Sequence, residues 1–331
     1  MKERDNYIDF LRFVGITMIV LAHVNSPLAI AQIRCFDVPL MLFVSGLSFG
    51  GRVIPIIGNN FYWPRTKRIL IPVYLFLSFY LIFVWLLGND LSISFIVGSI
   101  FLSYNYGVQF VWIMRVFILV MLATPLLIKI EKHFSRYGFA VFLVLMIASL
   151  ELFIGLKSNI KSEFWSILYE ESLLWLLAYS TFFIIGLRLR FAANKESLFY
   201  MMLFTVCMVG ALLYYVTIKG FPIIISPDYK YPPHSYYIIY GLWCSVLFWY
   251  LKPILKNVST CKIVLFVGRN TIWIYLWHII TLLVMSRVTD IWYIKYIGTL
   301  SLSIVIVYFQ TRFVAFLQSK TSFHIWKYLI G

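Results

Sequence analysis

Apolar runs of about 17 to 25 residues, the length needed to cross a ~30 Å hydrocarbon core, follow one another along almost the whole chain. They read as 8–29, 34–51, 69–88, 108–129, 138–157, 166–187, 197–219, 235–252, 262–285 and 291–317. Within lipid every backbone N–H and C=O must find its partner inside the segment or the bundle, so runs of this kind fold as helices. The expected fold class is therefore all-α: a polytopic membrane bundle of about ten transmembrane helices, forming a single domain over 1–331 with no separate soluble domain. The stretch LSISFIVGSIFLS (91–103) is too short to span and reads as an interfacial or re-entrant piece. Composition agrees, since 62% hydrophobic and only 12% charged residues lie far outside soluble-globular usage.

The 28 Lys and Arg residues test this map, because basic residues gather in cytoplasmic loops. They concentrate on the side shared by the N-terminus, which predicts that both termini are cytoplasmic. The net charge of +15 is then orientation signal and lipid-headgroup contact, and nucleic acid is a poor partner for it. MKERDNY precedes the first run, which lacks a small-residue cleavage site and is expected to stay as the first helix. Cys35, Cys207, Cys244 and Cys261 are dispersed, and no Cys/His grouping has zinc-ligand spacing, so no metal is expected.

The first run, IDFLRFVGITMIVLAHV, contains Arg12 and His23. At ~100° and ~1.5 Å per residue, eleven steps on a continuous helix place them on one face, roughly 16 Å apart. An ionisable group at membrane depth is costly and is by default a functional-site hypothesis. Measured from the expected helix ends, His23, Glu151, His278, Arg115, Glu170 and Glu171 share one depth in the outer half of the bilayer, which suggests a common cavity. Imidazole can take a proton from a hydroxyl, and a neighbouring carboxylate can fix its tautomer. The plainer alternative for each histidine is a core residue bonded to a carbonyl, a stronger alternative for His278 in its aromatic flanks. His133, His234 and His324 read as loop or tail residues.

On the cytoplasmic side, WPRTKRILIPVYLF places Arg65, Lys67 and Arg68 at a helix start. Guanidiniums there can grip phosphates bidentately, although a plain topology signal would look the same. FDVPLMLFVSG (36–46) ends in Ser45 and Gly46, which permit close helix approach or a break.

These motifs together resemble the acyltransferase-3 family of integral-membrane acyltransferases. The matching residues are Asp9, Arg12 and His23, then Pro39 and Phe43 to Gly46, then Arg65 and Arg68 followed by Pro72 and Tyr74. Weaker echoes run through Trp112 to Pro125, FFIIG (182–186), YKYPPHSYYIIYG (229–241) and GRNTIWIYLWH (268–278). The resemblance implies transfer of an acyl group, commonly acetyl from acetyl-CoA, to a hydroxyl of a cell-surface glycan or lipid-linked glycan such as O-antigen or capsule. It implies a multi-pass protein of the bacterial inner membrane. His23 would be catalytic, Arg12 with Asp9 would support the acyl path, and Arg65 and Arg68, with Lys67, Tyr74, Ser45 and Gly46 nearby, would form the acetyl-CoA site. Many relatives carry Trp-Ser-Leu and a Glu-Glu pair where this chain has VWIMRVFILVMLATP. The acidic partner of His23 then lies among Glu170, Glu171, Glu151 and Asp37, with Glu170 preferred for its place in WSILYEES, and Arg115 becomes a candidate oxyanion stabiliser. A transporter or flippase of a lipid-linked glycan is the alternative from another class.

Overall fold

A computed structural model describes residues 5–50, 59–220, 227–321, 326 and 328–330. Among them the secondary structure is helical, with one isolated bridge between Lys230 and Pro233. The helices are α1 (Asn6–Leu21), α2 (Leu28–Arg34), α3 (Asp37–Gly50), α4 (Asn59–Leu86), α5 (Ile93–Ile100), α6 (Trp112–His133), α7 (Arg136–Lys157) and α8 (Glu163–Tyr169). A π-helical turn, Glu170–Leu174, joins α8 to α9 (Trp175–Leu189). There follow α10 (Asn194–Lys219), α11 (Pro227–Lys230), α12 (Ser235–Tyr250), α13 (Lys252–Leu255), α14 (Lys262–Arg269), α15 (Thr271–Val288) and α16 (Trp292–Lys320).

Eight helical segments among the described residues are long and apolar enough to cross a membrane, α2 with α3 and α8 with α9 each counting as one. The sequence map of ten differs at α1 and α12, which hold 16 residues each and so extend only ~24 Å. The first run does not continue to residue 29. Helix α1 ends at Leu21, Asn25 takes φ 54°, a conformation asparagine tolerates, and Pro27 opens α2 with its fixed φ. The run 262–285 also divides, at Asn270 between α14 and α15. The stretch 91–103 forms α5, whose eight residues reach only ~12 Å.

Lipid tails are as apolar as leucine, so close packing holds such helices together. The tightest packing lies between α3 and α9 at the centre. A Cβ on Gly46 would stand 2.0 Å from the Phe183 carbonyl oxygen, and one on Gly186 would stand 2.2 Å from that of Phe43. The two backbones touch, and α3 runs unbroken past Gly46. Helix α14 crosses α1 in the same way, since a Cβ on Gly268 would stand 2.0 Å from the Asp9 carbonyl oxygen. Helices α1, α6, α7 and α12 pack on the central pair and α15 joins through α1, while α4, α7, α10 and α16 are the least buried. Their outward residues, such as Leu152, Val206 and Phe309, are apolar and exposed, as a lipid-facing surface requires.

Both ends of the described chain meet at one end of the bundle. The Asp5 carboxylate caps α1 by accepting from the Tyr7 amide at 3.1 Å, and it accepts from Arg190 and Lys252 at 2.8 Å each. Near the C-terminus the Trp273 indole donates to the Tyr328 carbonyl at 3.2 Å.

Candidate active site

At that same end a cavity of about 600 Å³ enters the bundle between α1, α3, α4, α6, α14 and α15. Its mouth is cationic: Arg12, Arg65, Arg68, Arg190 and Arg269 line it, against the carboxylates of Asp5 and Asp9. Asp9, fully buried, organises the group. It accepts from Arg12 at 2.6 Å and from Arg269 at 3.4 Å, while Arg12 also donates to the Ser48 hydroxyl at 2.7 Å. One turn separates Asp9 from Arg12 on α1, so the helix itself sets that pair. Arg65 is held by the Phe61 carbonyl at 2.5 Å and lies over the Phe61 and Phe49 rings at 4.3 and 4.9 Å. Asp5 sits before α1, outside the membrane spans. Burial opposes its charge, but hydrogen bonds from Lys252 and Arg190 outweigh this and hold its carboxyl below the usual carboxylate range.

Deeper in, the walls turn apolar, with Ile16, Ile19, Met41, Ile113, Phe117 and Phe183, and the cavity reaches Tyr275. The Tyr275 ring lies 5.2 Å from His278, and His278 stacks on His23 with centroids 5.5 Å apart and planes 28° apart. Phe110 closes on His23 edge-on at 4.7 Å. The two histidines therefore meet just beyond the apolar throat. His278 is fully buried, and its Nδ1 bonds the Tyr275 carbonyl oxygen. A carbonyl only accepts, so Nδ1 bears the proton, and in the uncharged form of the ring Nε2 is the acceptor. His23 stands in the turns after α1, its amide bonded to the Val20 carbonyl at 3.1 Å, and not three helical turns above Arg12 on a continuous face. After His278, Lys230 and Arg34 act electrostatically on it.

The remaining depth-matched residues do not share this cavity. Arg115 pairs with Glu171 at 2.9 Å and bonds Ser172 at 3.1 Å. The other Glu171 oxygen accepts from Ser103, from the Tyr104 and Asn105 amides and from the Asn105 side chain, so this carboxylate fastens the loop before α6 to the π turn. Glu170 is bound by Lys157, and Glu151 by His234 at 2.8 Å and the Ser235 amide at 2.6 Å. Asp37 pairs with Arg34 at 2.7 Å. All four carboxylates considered for His23, Glu170 included, are thus engaged elsewhere, and the residue against His23 is His278. Neither Glu170 nor Arg115 lines the cavity, and His23 and His278 stand outside its lining too, reached through Tyr275.

Among the residues expected to hold a donor, Arg65, Arg68 and Ser45 line the cavity, together with Arg12 and Asp9. Lys67 instead covers the Trp63 ring at 4.4 Å. Tyr74 donates to the Ile100 carbonyl at 3.0 Å on an exposed face. Gly46 is consumed by the contact between α3 and α9. His324 lies outside the described residues. Sequence reasoning missed Arg190, Arg269 and Tyr275. The two arginines carry the same loop signature as any topology signal, and only the α1–α14 crossing reveals that Arg269 shares Asp9 with Arg12.

The arrangement suits a ligand with several phosphates and a narrow apolar arm. Guanidiniums match phosphate oxygens bidentately, the throat admits an aliphatic chain, and the volume falls within the ~300–1,000 Å³ of small-molecule sites. Comparison with curated proteins gives no match, and comparison with solved structures gives none. A family model described as an acyltransferase domain, that of the acyltransferase-3 family, matches residues 5–317. With nearly the whole chain covered, this protein belongs to the acyltransferase-3 family and is a membrane acyltransferase.

Proposed function

We propose that the protein moves an acetyl group from cytoplasmic acetyl-CoA to a hydroxyl of a cell-surface glycan, working from a bacterial inner membrane. The observation supporting this reading is the single cavity that joins five arginines to the neighbourhood of two stacked histidines. The arginines hold the CoA phosphates, the apolar throat takes the pantetheine arm, and the thioester comes to rest near Tyr275 and His23. His23 removes the proton of the acceptor hydroxyl as its oxygen attacks the thioester carbonyl. The C–S bond breaks, and the CoA thiolate leaves with the proton returned by the imidazolium. In the other route the His23 nitrogen attacks the thioester carbonyl, the C–S bond breaks and CoA leaves as the thiol with the imidazole proton; the hydroxyl oxygen then attacks the acetyl-imidazole, the C–N bond breaks and the hydroxyl proton passes to the imidazole.

Purified protein given acetyl-CoA labelled in the acetyl group should pass label to glycan, and His23→Ala should abolish transfer while the thermal midpoint stays near wild type. Full transfer by a folded His23→Ala protein would remove the mechanism. Mass spectrometry of surface glycan from cells with and without the gene identifies the acceptor.

A further inference from the structure

Beyond the histidine pair lies a group of buried polar atoms, of which Tyr275 alone lines the acyl-donor cavity. Nε2 of His278, the indole N–H of Trp175 and the Tyr275 hydroxyl have no hydrogen-bond partner among the described residues, and the hydroxyls of Tyr179 and Tyr237 have only each other. Each of these side chains is 3% exposed or less. One such orphan costs about 1–3 kcal/mol, and buried polar atoms are ordinarily paired with protein or ordered water. Three orphans and the tyrosine pair converge here. Tyr179, Tyr237 and Tyr231 act electrostatically on one another, and Asp37 acts on all three. Tyr231 acts in turn on Tyr275, which touches His278. Trp112 ties Trp175 to the same place, lying 4.9 Å from it, 5.9 Å from Tyr179 and 5.6 Å from Tyr231.

The cluster sits away from the arginines. Helix α10 leaves the bundle end near Arg190 and, with 26 residues, extends ~39 Å before the chain reaches α11, which ends at Lys230 just before Tyr231. Aromatic side chains around a few convergent donors and acceptors have the lining chemistry of a small-molecule site. The mixture is specific: an indole that only donates, an imidazole nitrogen that accepts, and phenols that do both. A ligand rich in hydroxyls answers all three.

Charge narrows the ligand further. Arg34 and Asp37 neutralise one another at 2.7 Å. Lys230, also buried, has no ion pair among the described residues and lies over the Tyr231 ring at 5.6 Å. Burial lowers the Lys230 pKa against the pull of Asp37. Without an ion pair, Lys230 can carry its charge in this buried place only at a cost that a bound anion would offset.

We infer that this cluster is the acceptor subsite and that the acceptor is an acidic sugar, with its carboxylate or phosphate on Lys230 and its hydroxyls on Tyr179, Tyr237 and His278. The word acceptor rests on the acyl-transfer reading above, whereas the binding site itself does not. The test is equilibrium binding without acetyl-CoA. Purified protein is titrated with glucuronic acid, glucose 1-phosphate and methyl glucoside, with acetate and inorganic phosphate at equal concentration to subtract the effect of charge alone. At least one acidic sugar should bind tenfold or more tightly than the glucoside, and Lys230→Met should erase that preference while leaving or raising the thermal midpoint. Tyr237→Phe should weaken binding several-fold. A hydroxyl with only a structural place would instead leave binding unchanged on removal. No acidic preference in the wild type, or a preference that survives Lys230→Met, overturns the inference. An acidic sugar that binds in this way yet receives no label from acetyl-CoA overturns the reading of acetyl-CoA as donor and this sugar as acceptor, and leaves the binding site standing.

Discussion

Asp9 shows how one carboxylate can set the character of a site. Buried and shared between Arg12 and Arg269, it aims two guanidiniums at the cavity that would otherwise repel each other. Asp9→Ala should lower stability by about 1–3 kcal/mol, less than for a fully buried pair because both arginines keep some contact with water, and should raise the acetyl-CoA requirement as well. A thermal melt and a donor titration on the same sample check both. Arg65→Ala and Arg68→Ala should each raise the KM for acetyl-CoA about 10- to 100-fold, the worth of a charge-assisted phosphate contact, and leave the KM for glycan nearly unchanged. Equal effects on both substrates would return these arginines to topology alone. At this scale the sequence was readable where spacing along one helix decides the neighbour, as for Asp9 and Arg12. It was not readable for Glu170, because its partner, Lys157, arrives from the end of another helix and a π turn sets its direction.

Element boundaries followed a different logic. A hydropathy run reports that residues are apolar, not that they are helical without interruption, so 8–29 and 262–285 each looked like one helix. The breaks were written in small signals, Asn25 and Pro27 in the first and Asn270 in the second, which a run of apolar neighbours outvotes. Gly46 was read as permitting close approach, and the structure makes that its function in α3, where no side chain fits against the Phe183 carbonyl. Gly46→Val should therefore destabilise the bundle by about 3 kcal/mol or more, the upper range for overpacking, because the opposing atom is backbone and cannot swing aside. The loss should appear as a lowered thermal midpoint in detergent, accompanied by loss of activity at every donor concentration.

For the molecule as a whole, apolar runs were enough to specify an all-helical membrane bundle, since lipid leaves the backbone no other economy. How the runs assemble depends on contacts far apart in sequence, and one of these gathers the termini: Asp5 joins α1 to Arg190 and Lys252. Its carboxyl is held below the ordinary range, so the stabilisation is fully present above about pH 4 and is lost as pH falls through its lowered value. Asp5→Asn should melt earlier than wild type at pH 7, and the gap should close as the pH is taken below 4. A constant gap across that range would assign the effect to packing instead of charge. The early end of α1 has a consequence of another kind. The amides after Ala22 belong to no helix, and beside them Leu21, Val24 and Leu282 form a small buried cluster with Trp292, Tyr296 and Phe110 packed against it, while Asn25 is exposed. Irregular backbone survives at membrane depth only where protein or water surrounds it. Deuterium uptake at residues 24–26 is therefore a built-in hydration gauge beside His23, able to time the arrival and exclusion of water there independently of turnover.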